Sequence, residues 1–293
     1  ISGVGLDGKT FFYTNAMQIS NNTTHKDREA ERSGWFECSC CPTNVTRLLP
    51  SVPGYMYAQK DKNIFINLFI KSNTTIAVDG KKISIEQQNN YPWNGDLKFI
   101  VSPEKAATAF SIRLRIPGWA ANEAIPSNLY KFQSVSNSKP TISLNGEAIQ
   151  YETENGYAVI TRTWKKNDVI EMKLPMEVRR IVANENLKDD IGKVALQRGP
   201  LIYCAEWTDN NGRAANIILP ASAVFTTETS PSLLNGVVLI RSEANAVISN
   251  ETEIKTVKQA FIAIPYYAWA NRGKGEMMVW FPEKIKDIEI ITK

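Results

Sequence analysis

From about Asp61 onward the apolar residues of this chain recur at every second position. Ile64, Ile66, Leu68 and Ile70 alternate with Phe65, Asn67 and Phe69, and Phe110, Ile112, Leu114 and Ile116 alternate with Ser111, Arg113 and Arg115. A strand projects successive side chains to opposite faces, so each set predicts a strand with one apolar face. Asp79-Gly80 and Asn145-Gly146 are the strongest two-residue hairpin turns in the sequence. Further strands are expected at Leu97–Val101, Thr141–Leu144, Tyr157–Thr161 and Val169–Leu174. Short strands with turn signals every ~8–12 residues are the pattern of an antiparallel sandwich or barrel. After Pro175 a second β-rich region carries candidate strands Val178–Val182, Val194–Leu196, Leu201–Ala205, Val237–Ile240, Ala260–Ile264, Met277–Phe281 and Ile285–Ile291.

Helical periodicity is scarce. The one candidate is Pro42–Leu49, with Pro42 suited to the first turn and Pro50 and Pro53 preventing it from running far. The polar, charged run from Asn21 to Gly34 reads as an exposed loop. The expected fold class is all-β: two antiparallel β-sandwich domains behind a short, partly helical N-terminal segment, divided near Pro175–Glu177. A chain of 293 residues buries enough surface to need no disulfides. Its net charge of +4 is spread thinly, which argues against nucleic acid or an anionic membrane as partner. No apolar run approaches the ~20 residues of a membrane-spanning helix.

The chain has a single histidine, His25, so a multi-histidine metal site is excluded, and any Ser-His-Asp or Cys-His mechanism would have to use it. His25 itself reads as a solvated loop residue. Three of the four cysteines, Cys38, Cys40 and Cys41, fall within four positions just before the expected helix. Such clustering does not resemble a disulfide scaffold, which spreads its cysteines. Unpaired amide donors at a helix N-terminus favour a thiolate, the form that attacks carbon and binds zinc. Two readings stay open on the residues alone: a reactive or metal-binding cluster, or small buried cysteines. Cys204 reads as a buried strand cysteine.

The run Trp35 to Leu49, with its Cys40-Cys41-Pro42-Thr43-Asn44 core, resembles glycoside hydrolase family 127, with family 146 a close relative. Gly118-Trp119, Arg162-Thr163-Trp164, Leu174 to Arg180, Gln197 to Tyr203, and Pro265 to Gly273 resemble the same family in order along the chain. The resemblance implies a retaining β-L-arabinofuranosidase: an (α/α)6 barrel holding the active site, followed by two β-sandwiches. It implies Cys40 as nucleophile and zinc ligand and Cys41 as a second zinc ligand; no ligand role is carried to Cys38. Tyr13, within Phe11-Phe12-Tyr13-Thr14-Asn15, is a candidate to line the sugar site in a complete barrel, the alternative being an ordinary aromatic strand residue. The family's acid/base Glu and its remaining zinc ligands, a Glu and a Cys, lie upstream of the motif, and no Glu-x-Cys pair precedes Cys40 here.

The expectation is therefore the C-terminal part of a longer enzyme, inactive by itself. Residues 1–51 would be a remnant of the barrel, 60–176 the first sandwich, and 52–59 with 177–293 the second. The partners implied are a plant-type arabinose-containing glycan and the missing barrel, with a homodimer interface on the sandwiches; zinc would be complete only in the whole enzyme. The kind of substrate points to a periplasmic or secreted bacterial protein. Rival readings are a stand-alone carbohydrate-binding module and a metal protein using Cys38, Cys40 and Cys41. Glu37 is expected at the surface. Tyr266, Tyr267 and Trp269 are the best aromatic candidates for sugar stacking, with a core or interface role ahead of it. Asn-x-Ser/Thr sites stand at Asn21, Asn22, Asn44, Asn73 and Asn250, with Asn44 expected to be buried.

Overall fold

The computed structural model describes residues 3–20, 31–37, 40–105, 108–249 and 254–288, residue 41 by its backbone alone. The chain divides into two units. One is Asn44–Pro126 with Val135–Glu177; the other is Val178–Lys293 with Ser127–Ser134 and the N-terminal residues up to Thr43.

In the first unit two sheets share one core. One sheet orders its strands Glu147–Ile149, Thr141–Leu144, Asp168–Lys173, Asp96–Pro103, Lys81–Asn89 and Ser72–Val78, all antiparallel. The other orders Glu152–Glu154, Tyr157–Trp164, Thr108–Arg115, Asn63–Ile66 and Tyr57–Lys60. Its Asn63–Ile66 strand runs parallel to Thr108–Arg115, a single departure from the antiparallel expectation among the described strands. The alternation does what the period requires: Ile64, Ile66, Ile112 and Leu114 from one sheet meet Ile83, Ile85, Phe99, Val101 and Ile170 from the other, all fully buried. Trp164 is wholly buried with them, and its indole N–H donates to the Phe110 carbonyl at 2.9 Å. Asp79-Gly80 and Asn145-Gly146 close their hairpins with left-handed backbones, as does Asn155-Gly156, which the sequence reading passed over. Beyond Ile66 the alternation continues in sequence but the strand stops, leaving Ile70 exposed.

In the second unit the main sheet runs Ile217–Ile218, Val237–Ser249, Ile254–Pro265, Leu201–Glu206, Lys193–Arg198, Val178–Ala183 and Tyr130–Phe132. Its core gathers Leu196, Tyr203, Ile240, Phe261, Met278 and Phe281. The long hairpin extends well past the apolar stretches that announced it: its outer half buries only the small Ala244 and Ala246 and leaves Ile248, Ile254 and Val257 exposed among polar residues. The expected strand Met277–Phe281 is two short strands, Met277–Met278 and Phe281–Pro282. Where a strand was expected at Ile285–Ile291, Ile285–Asp287 forms a 3-10 turn, and residues 289–291 lie outside the described residues.

Two pieces sit differently from the sequence division. Tyr57–Lys60 pairs with Asn63–Ile66, so 52–59 belong with the first unit rather than the second. Conversely, Tyr130–Phe132 pairs with Val178–Ala183 and belongs to the second. Backbone pairing decides both, and a linear boundary cannot express it. Among the described residues no helix is long and apolar enough to cross a membrane.

Asp168 ties the Asn145-Gly146 turn to the core of the first unit. It is 5% exposed, and burial alone would raise its pKa. The Lys165 N–H at 2.8 Å, the Asn145 amide at 3.0 Å and the nearby Arg162 outweigh burial and hold it below 3.8. A folded-state pKa below the unfolded one contributes stability above about pH 4 that is lost as pH falls through the folded value. The gap in urea midpoint between wild type and Asp168→Asn should therefore be full at pH 7 and narrower at pH 3. Gly95 offers a second check, since a Cβ there would lie 2.1 Å from the Leu174 carbonyl oxygen. Gly95→Ala should cost about 1–3 kcal/mol in the same assay.

Candidate functional site

The helix Cys40–Ser51 begins at the cysteine singled out above. Pro42 lies in its first turn, where a missing N–H costs nothing, and the Thr43 hydroxyl donates to the Cys40 carbonyl at 2.9 Å. Pro50 lies inside the helix, one residue before its end, and the Ser51 hydroxyl bonds back to the carbonyls of Arg47 and Leu48. Cys40 thus stands exposed at a helix N-terminus, where the dipole and open amide donors favour negative charge.

The phenol of Tyr13 lies 3.4 Å from the Cys40 sulfur, bringing two sequence-nominated residues together across 27 positions. The Tyr13 segment is held on both sides. Phe11 exchanges backbone hydrogen bonds with Ser33 at 3.0 Å each way, and the rings of Phe11 and Tyr13 lie 4.8 and 5.4 Å from the buried Phe36. Phe12 faces the opposite way and stacks flat on Trp269, centroids 4.4 Å apart and planes within 1°. The Arg32 guanidinium lies 4.6 Å over Phe12 and donates to the carbonyls of Trp269 (2.6 Å) and Gly3 (3.1 Å). Nearby, the Tyr266 hydroxyl donates to the Ala16 carbonyl at 2.7 Å, and Asn271 accepts the Leu6 N–H at 2.9 Å.

Under this lies a charge network. Glu206 is 3% exposed and accepts from the Ala270 N–H at 2.6 Å and from Arg272. Arg272 also donates to Asp209 at 2.8 Å. Burial works against the Arg272 charge, but the hydrogen bonds it donates to Asp209 and Glu206 overcome it and hold its pKa above the ordinary value. Burial pushes the Tyr266 phenol up to about 12.

Tyr266 and Trp269 are therefore buried anchors rather than an exposed sugar platform. Cys204 is fully buried and its thiol is pushed well up by desolvation, as suits an inert strand cysteine. Glu37 is exposed. Asn44, expected to be buried, is exposed as well, because it lies on an open side of its short helix. His25, Cys38 and the Cys41 side chain lie outside the described residues. Among the described residues no three His, Cys, Asp or Glu side chains cluster closely enough to hold a metal ion. A tetrahedral zinc site needs four donors, so the described part of this chain does not make one. Sequence reasoning missed Phe12, Arg32 and Glu206; Asn271 and Arg272 stood inside a quoted motif without an assigned partner.

Residues 1–54 match the β-L-arabinofuranosidase GH127 catalytic domain, 63–176 the GH127 middle domain, and 178–282 the glycoside hydrolase family 127 C-terminal domain. A non-reducing end β-L-arabinofuranosidase of Bifidobacterium longum is 33% identical, covering 96% of this chain and 43% of its own length. A solved GH127 β-arabinofuranosidase superposes with a TM-score of 0.90 at 38% identity, over 98% of this chain and 44% of that one. A GH127 β-L-arabinofuranosidase from Geobacillus stearothermophilus T6 gives 0.84 at 38% identity, over 97% and 44%. The chain thus spans less than half the length of these relatives. Matched in order by all three domain types and sharing their fold almost end to end, the chain belongs to glycoside hydrolase family 127.

Proposed function

We propose that this chain carries the nucleophile of a retaining β-L-arabinofuranosidase, with Cys40 attacking the sugar and two β-sandwiches supporting the segment that bears it. The observation that carries the reading is the exposed Cys40 sulfur at a helix N-terminus with the Tyr13 hydroxyl 3.4 Å away. Both features stabilise a thiolate, the helix end through its dipole and the phenol by donating a hydrogen bond. In the proposed chemistry the sulfur lone pair forms a bond to the anomeric carbon as the glycosidic C–O bond breaks, and an acid protonates the departing oxygen. Water, losing a proton to the same group as base, then displaces the sulfur and restores the thiolate. Two displacements retain the anomeric configuration.

No acid/base residue is assigned in this chain, and the 293 residues alone are proposed to be inactive. Zinc is proposed for the whole enzyme, with Cys40 and Cys41 supplying sulfur donors and the rest coming from outside this chain. The substrate proposed is a plant-type glycan ending in β-L-arabinofuranose, the sugar named for the relatives.

The test is hydrolysis of an aryl β-L-arabinofuranoside by a protein carrying this chain within the full family architecture. Cys40→Ala should lower kcat by at least about 10³-fold, as expected on removing a covalent nucleophile. Tyr13→Phe, which removes one hydrogen bond to the sulfur, should lower kcat about tenfold with KM little changed. Hydrolysis that survives Cys40→Ala would refute the assignment.

A further inference from the structure

The loop that follows the strand Ile254–Pro265 contains a conformation that side chains other than glycine rarely adopt. Ala270 sits at φ +54, and its N–H points at the buried Glu206 carboxylate. A strained residue persists only where its surroundings over-determine it. Here they do: Glu206 is held in turn by Arg272, and Arg272 by Asp209. The consequence of the turn is local and directional. It lays the Trp269 ring flat on Phe12 and aims the Trp269 carbonyl at Arg32. Asn271, the next residue, takes the Leu6 N–H.

Phe12 immediately precedes Tyr13, and in extended chain successive side chains point to opposite sides. Phe11 and Tyr13 accordingly share contacts with Phe36 while Phe12 points to Trp269. Gripping Phe12 on one side thereby aims Tyr13 on the other, toward the Cys40 sulfur. We infer that the Trp269–Arg272 loop, locked by Glu206, is a positioning element for the reactive cysteine, acting through Phe12 on Tyr13. The inference rests on the reading of Cys40 as nucleophile, and it assigns to the last β-domain a part in arranging the site.

The experiment follows the sulfur rather than hydrolysis. Iodoacetamide alkylation of Cys40 is measured at one fixed pH by peptide mapping of the 293-residue chain. Loss of the phenol's hydrogen bond in Tyr13→Phe should slow alkylation about threefold or more. Trp269→Ala should slow it to the same extent, and the double variant should be no slower than either single one, since both remove one interaction. Trp269→Phe keeps a ring to stack and should restore most of the rate. If Trp269→Ala does not fold, Phe12→Leu breaks the stack from the other side and carries the same expectation. A Trp269→Ala chain that melts at lower temperature yet alkylates at the wild-type rate, or effects that add to those of Tyr13→Phe, would overturn the inference. The two readings fail separately: hydrolysis surviving Cys40→Ala removes the nucleophile, while coupled alkylation still upholds the positioning element.

Discussion

Glu206 is a carboxylate almost wholly withdrawn from water, and a charge so placed is tolerable only if its hydrogen-bonding capacity is met. The Ala270 amide and the Arg272 guanidinium meet it. Much of the second unit's order near the N-terminus follows. With Ala270 turned, Trp269 is available to Phe12 and to Arg32, and Asn271 to Leu6. The described residues before the helix make only isolated bridges and one two-residue strand, Gln18–Ile19 on Met277–Met278, so they have little secondary structure of their own to hold them. Side chains of the last β-domain do that work.

The first unit rests on a different constraint. Its core is a sheet-on-sheet interior of Ile, Val, Leu and Phe supplied by alternation, and its buried Gln87, Thr108 and Asp168 side chains are hydrogen-bonded, the Gln87 Oε1 excepted. Asp168 shows how. The strand that brings Ile170 and Met172 to the core begins with a carboxylate that secures the neighbouring hairpin turn, so turn geometry and strand register are tied by one group.

How far each feature was legible depended on how local its cause was. The hairpin turns at Asp79-Gly80 and Asn145-Gly146 were readable because left-handed backbone at two successive residues selects those side chains. The helix start at Cys40 was readable within two residues because Pro42 belongs in a first turn. The outer half of the hairpin Val237–Ser249 with Ile254–Pro265 was not, since its buried positions are the small Ala244 and Ala246 while larger apolar residues such as Ile248, Ile254 and Val257 face solvent, which leaves only a weak period of two. The aromatic group at 266–269 was noticed but its partner was not: nothing near Trp269 in sequence announces Phe12, 257 positions away. Glu206 was invisible for a similar reason. A Glu after an apolar strand ordinarily marks where the chain returns to solvent, and only Ala270 and Arg272 make its burial possible.

Sequence by itself determined the class of fold, the order of the strands along the chain, the family, and that the cysteine cluster adjoins the start of a proline-led helix. Each of these depends on neighbours a few residues apart or on motifs read in order. Tertiary structure alone decided that Tyr13 meets Cys40, that Trp269 lies under Phe12, and that residues 52–59 and 127–134 each side with the unit a linear division denies them. Those outcomes depend on which strand edges find partners and on which buried charges can be neutralised. Both are settled by packing between segments far apart in the chain, where periodicity carries no information.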